Sequence, residues 1–147
     1  MLYDYFAAAD DGEAASVLGR RGGPDGSGFD SVVTKGIDPA VHMGTLEELL
    51  TGRPLREVFA DPRSARPVGP VPRAGEPGVV TLTDSLARAL ATVDGAMIAE
   101  TAVHWSESEE FHGEADPLDL AEFLMDLAEV ARRAAGRGHR LYCRSAP

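Results

Sequence analysis

The densest gathering of groups able to do chemistry is the stretch His104-Trp105-Ser106-Glu107-Ser108-Glu109-Glu110-Phe111-His112-Gly113-Glu114. Two imidazoles among carboxylates could hold a transition metal, or could supply a histidine and a carboxylate for general acid–base work. Spacing argues against the metal. On one helix, eight residues place the two imidazoles roughly 12 Å apart along the axis, whereas metal–nitrogen bonds are about 2 Å long. Both could ligate only if the chain folded back between them, so neither a metal site nor a cofactor is expected. For acid–base chemistry, the sequence shows no third group to orient His104 beside Glu107, Glu109 or Glu110, and no oxyanion donor. The case for an enzyme is thin. Trp105 and Phe111 read as core anchors beneath a charged loop, worth about 1.5–3 kcal/mol each if buried; a Trp105 on which a ligand stacks is the other reading.

Elsewhere the chemical signals are sparser. His42 and His139 stand in no recognisable constellation and read as ordinary polar residues. Cys143 is the only cysteine, which excludes an intrachain disulfide or a thiolate cluster. It lies in an apolar run, where a buried, inert thiol is the usual case. There is no His-Glu-x-x-His, no Gly-x-Ser-x-Gly and no phosphate-binding Gly-x-x-x-x-Gly-Lys-Ser/Thr. Gly26-Ser27-Gly28 reads as a turn, and Pro67-Val68-Gly69-Pro70 as a solvated loop.

Charge says more. The formal net charge is −10, and of fourteen basic residues only Lys35 is lysine. That balance argues against nucleic acid and against anionic membrane surfaces, both of which need clustered Lys and Arg. No apolar run approaches the roughly 18–20 residues of a membrane span, and Met1 to Phe6 lack the form of a signal peptide. The expected compartment is the cytoplasm. Between Arg88 and Arg132 there are eleven Asp or Glu residues and no Lys or Arg. One reading is a solvated face, since two like charges 8 Å apart in water repel by only about 0.5 kcal/mol. The other is an acidic docking surface for a basic protein.

The preferred functional reading is therefore a non-enzymatic acidic protein-interaction module, of inhibitor or immunity type. Its binding candidates are His104, Trp105, Glu107, Glu109, Glu110, His112 and Glu114. The alternative is a small-molecule-binding protein or hydrolase with a pocket near His104 and Trp105.

The elements that must position these residues point to one α+β domain over 1–147. A small mixed sheet, including N- and C-terminal strands, is expected to pack against several helices. The opening strand runs through Leu2, Tyr3, Tyr5 and Phe6. Asp10-Asp11 introduces a short helix over Glu13 to Leu18, and a flexible glycine-rich loop follows over 22–28. Phe29 to Thr34 suggests a second strand or only an extended connection. Thr45-Leu46-Glu47-Glu48 matches a capping box, starting a helix that Gly52 and Pro54 stop. A proline-rich surface segment at about 54–77 allows one helical turn near Leu55, Val58 and Phe59. Val79 to Leu82 reads as a strand leading to Thr83 or Asp84 as an N-cap, and Asp94 caps a further helix. Asp116-Pro117 opens the longest helix, over Asp116 to Ala135. Its stripe of Leu120, Leu124, Leu127, Ala131 and Ala134 lies opposite Asp119, Glu122, Asp126, Glu129 and Arg133. Arg140 to Arg144 reads as the closing strand.

Tyr3-Asp4-Tyr5-Phe6, together with Ile37-Asp38 and Leu49-Leu50-Thr51-Gly52-Arg53-Pro54-Leu55, resembles the YfbM-like family of small bacterial proteins. Members open with a similar aromatic strand, carry a Leu-Thr-Gly helix end and have a helical closing half. Here Thr45, Leu46 and Glu47 occupy the region where that family has aromatic residues. The resemblance covers most of the chain and implies an α+β fold. It implies no catalytic residues.

Overall fold

Side-chain alternation along the first strand divides the molecule into two cores. In the computed structural model, which describes residues 1–147, β1 spans Leu2–Ala8. Tyr5 and Ala7 point into the larger core, while Phe6 and Ala8 point into the smaller one behind the sheet. The other strands are β2 (Ser31–Lys35), β3 (Pro67–Val68), β4 (Gly78–Thr81) and β5 (Arg140–Ala146). Their order across the sheet is β2-β1-β5-β4-β3. Both terminal strands belong to the sheet, as expected, and neither lies at its edge.

The sheet is antiparallel at every pairing rather than mixed. A parallel pair needs a crossover that returns the chain to the end where the first strand began. Here three helices join β4 to β5, and they deliver the chain back to the end it left: Leu82 N–H donates to the Leu141 carbonyl at 3.1 Å.

The helices are α1 (Asp11–Ala15), α2 (Gly23–Gly26), α3 (Val41–Thr51), α4 (Leu55–Ala60), α5 (Asp84–Thr92), α6 (Gly95–Ser106) and α7 (Pro117–Arg137). The larger core joins the sheet to α3, α5, α6 and α7 through Leu46, Leu86, Leu90, Ile98, Trp105, Leu124 and Leu127. Behind the sheet, Ala14 and Val17 cover Phe6, Val79 and Tyr142. No helix is long and apolar enough to cross a membrane.

Cap residues set several boundaries where the sequence places them. Side chains of Asp10, Thr83, Asp94 and Asp116 accept from the N–H groups of Glu13, Leu86, Met97 and Leu118. Pro117 occupies the first turn of α7, and Gly138 ends it in the left-handed conformation at φ 69°. Gly136 lies inside that helix. All five residues of the apolar stripe are buried, and the five charged residues opposite are exposed.

Three local expectations are corrected, the first being that Pro67-Val68 is not a solvated loop but strand β3, with Val68 buried against Val79. Helix α3 starts at Val41, so Thr45 is an interior residue donating to the Val41 carbonyl. Asp38 Oδ1 caps instead, accepting from the N–H groups of Ala40 (2.9 Å) and Val41 (2.7 Å). Glu48 reaches forward, accepting from the Leu55 N–H at 3.2 Å. An earlier carboxylate within reach of orphan amides outcompetes the threonine. The glycine-rich loop also holds one helical turn, α2, because Gly22 and Gly23 adopt positive φ and Pro24 fixes the first turn.

Candidate functional site

After α6, a 3-10 turn over Glu109–Phe111 leads to His112 at φ 53° and Gly113 at φ 73°. These left-handed residues reverse the chain and carry it to the start of α7 at Asp116. The turn faces the far end of β2, where Gly36 at φ 70° swings the chain toward Ile37. Between the two lies an open cleft of about 490 Å³, within the usual range of about 300–1,000 Å³ for ligand pockets. Ile37, Phe111, Leu120 and Phe123 are its larger apolar residues, and Glu110, Glu114, Asp116 and Asp119 are its acidic ones. Its lining also includes His42, His112 and, at the end of β2, the residue Lys35.

His42 forms the inner wall. Its Nδ1 bonds the Asp38 carboxylate, and its Nε2 donates to the Glu110 carbonyl at 3.2 Å. The ring packs on Phe111 with centroids 4.5 Å apart, and Trp105 Nε1 donates to the His42 carbonyl at 3.0 Å. The Asp38 hydrogen bond raises the His42 pKa above its ordinary value; burial opposes it but does not win. Burial pushes the Asp38 carboxyl up, yet the bonds from His42, Val41 and Ala40 outweigh it and hold the carboxyl below its usual value. His42 is thus favoured as an imidazolium that donates from both nitrogens. The ring clamps the start of α3 to the 109–113 turn.

The expected site residues separate into groups. Glu110, His112 and Glu114 line the cleft. Trp105 is fully buried, edge-on to Phe111 and stacked near Phe123, so it supports those two cleft residues and offers no surface to a ligand. His104 is exposed on another face, beside Leu49, Met97 and Glu100 in a hollow of about 180 Å³. Glu107 and Glu109 are exposed outside the cleft. No group of three or more His, Cys, Asp or Glu side chains is gathered as a metal site, although the chain does turn back near His112. Asp38, His42, Asp116 and Asp119 belong to the cleft or its wall without having been singled out as binding residues. The signal that could have found the clamp is Asp38 standing just before the helix start, where its carboxylate reaches the first amides and His42 in the first turn.

Other polar clusters hold the fold. Glu47 is 1% exposed; its carboxylate accepts from Thr83 Oγ1, from Ser85 Oγ at 2.6 Å and from Arg53 Nη1 at 3.0 Å. Arg53 also reaches Asp61 at 3.0 Å, joining α3, α4 and the start of α5. On the far face, Asp11 accepts from Tyr142 Oη at 2.7 Å and pairs with Arg63 and Arg66. Burial and that bond push the Tyr142 hydroxyl up to about 12. Burial also pushes the Cys143 thiol far up, which keeps it protonated and unreactive. No protein-family model, curated protein or solved structure matches this chain.

Proposed function

We propose that this chain is an acidic recognition module that binds a basic protein partner, with the cleft between β2 and the start of α7 as its docking centre. One observation carries the reading: two separate elements, the 109–114 turn and the first turn of α7, bring Glu110, Glu114, Asp116 and Asp119 around one cleft that also has apolar residues in its lining. Such a cleft suits the guanidinium or ammonium head of an Arg or Lys side chain whose methylene stem lies on Ile37, Leu120 and Phe123. The clamp formed by Asp38, His42 and the Glu110 carbonyl supports it by holding the turn in place before a partner arrives. An inhibitor or immunity role, in which the module masks a basic surface of another protein, is the form this reading favours.

The cleft volume supports a second reading, in which the ligand is a small organic cation. A titration of labelled protein followed by NMR separates the two. With hexa-arginine amide, the amides of Thr34–Ile37 and Glu110–Asp119 should shift, while those near His104 stay unchanged. Agmatine, which carries one guanidinium on a short chain, should shift the same amides only at far higher concentration. Equal affinity for both probes favours the small cation, and no shift at the cleft with either removes both readings.

A further inference from the structure

Strand β2 is an edge of the sheet, and no strand pairs with its outer side. Which of its backbone groups are unpaired follows from the ladder. The Ala7 N–H donates to the Asp30 carbonyl at 3.1 Å, which makes Ala7 and Asp30 a hydrogen-bonded pair. Antiparallel pairs alternate, so Tyr5 bonds Val32 and Tyr3 bonds Thr34 in the observed register. The N–H and C=O groups of Ser31, Val33 and Lys35 therefore point away from β1, and no bond outside the regular elements uses them. The strand carries no proline or bulge to discourage pairing, and Val33 is 58% exposed.

Helix α7 runs beside this edge in the opposite direction. Near its C-terminal end, Arg133 pairs with Asp30 through bonds of 2.6 and 2.9 Å, just before β2 begins. At its start, Asp119 shares the cleft with Thr34 and Lys35, where β2 ends. Asp119 and Arg133 belong to one exposed stripe of the helix, and between them on that stripe stand Glu122, Asp126 and Glu129. The stripe that carries these three carboxylates thus meets β2 at both of its ends. Lys35, the one cation of the strand, pairs with Leu2 in the register and so springs from the opposite face of the sheet.

We propose that β2 is a docking edge for an extended peptide segment of the partner, which adds a sixth strand and directs basic side chains at alternate positions toward Glu122, Asp126 and Glu129. The proposal rests on the reading of the chain as a module for basic partners and adds how the partner is held. Main-chain bonds to Ser31, Val33 and Lys35 supply affinity, and the carboxylate stripe selects Arg or Lys at every second residue. A side chain beyond the end of β2 then reaches the cleft.

The probe is the peptide acetyl-Arg-Val-Arg-Val-Arg-Val-Arg-amide, added to uniformly labelled protein. At saturation, hydrogen exchange at the amides of Ser31, Val33 and Lys35 should slow by about tenfold or more, as expected for new ladder bonds. Val33→Pro removes an outward N–H, spares the bonds to β1 and should lower affinity about tenfold. Should that variant not fold, the same peptide N-methylated at either alternate set of residues tests the point: one of the two sets must abolish binding. Glu122→Gln/Asp126→Asn/Glu129→Gln should weaken the arginine peptide and leave a serine-for-arginine peptide unchanged. If the cleft amides shift while those of Ser31, Val33 and Lys35 exchange as before, the strand proposal falls and the cleft reading stands. If neither responds, both fall. Protection of the three amides without peptide, together with a dimer in sedimentation, would assign the edge to a second copy and overturn the proposal.

Discussion

His42 ties stability to pH, and the sign follows from its partners. Its folded pKa lies above the ordinary 6.5, so its stabilisation is complete below that value and is lost as pH rises through the folded pKa. Asp38 acts in the other direction: its folded pKa is depressed, so its share is present above the ordinary carboxylate value and is lost as pH falls through the folded one. The pair is therefore most stabilising between about pH 4 and 6.5. Melting temperature should decline above pH 6.5 in the wild type, and His42→Gln should flatten that decline; an unchanged profile would remove His42 from the balance. Glu47 gives a second test. Glu47→Ala leaves the Thr83 and Ser85 hydroxyls without their acceptor and should destabilise by about 2–3 kcal/mol in urea unfolding. Little of this is legible in the chain. Glu47 reads as one more carboxylate in Glu47-Glu48, because its partners lie six to thirty-eight residues away. Asp38 and His42 are close in sequence, but Pro39 between them hides that they share a turn, and the Glu110 carbonyl that completes the clamp is sixty-eight residues distant.

Elements were more readable, because caps and periodicity are local signals. Asp116-Pro117 and the stripe through Leu124 define α7 to within two residues of its end. Leu124→Ala should cost about 2–5 kcal/mol, and Asp116→Ala about 1 kcal/mol through the lost cap. A loss below roughly 0.5 kcal/mol for Leu124→Ala would mean a surface position. The start of α3 was harder. Thr45 and Glu48 match a capping box, but Asp38 lies where it can bond two amides first, and a pattern of types alone does not rank competing caps. Strand direction was hardest, since both terminal strands are visible as apolar runs while the pairing sense depends on where three intervening helices return the chain.

Across the whole molecule, the charge pattern visible in the sequence acquires a direction. Carboxylates from the 109–114 turn meet those of the first turns of α7 at one cleft, while Arg132, Arg133, Arg137 and Arg140 gather around the other end of the same helix. Both placements suit the helix dipole, negative charge at the start and positive at the end. The acid-rich stretch from Asp94 to Glu129 was visible as composition; its division into a cleft, a buried Trp105 and an outlying His104 needed the fold. A basic partner should feel the cleft before contact, so the most direct measurement is the association rate of an arginine-rich peptide against ionic strength. For the wild type, that rate should fall by about tenfold or more between low and physiological salt. The variant Glu110→Gln/Glu114→Gln/Asp116→Asn/Asp119→Asn should associate slowly at low salt and show little salt dependence. A control with as many charges removed elsewhere, Glu57→Gln/Glu100→Gln/Glu107→Gln/Glu109→Gln, should keep most of the wild-type rate. Equal rates and equal salt slopes in the cleft variant and the control would contradict recognition at the cleft.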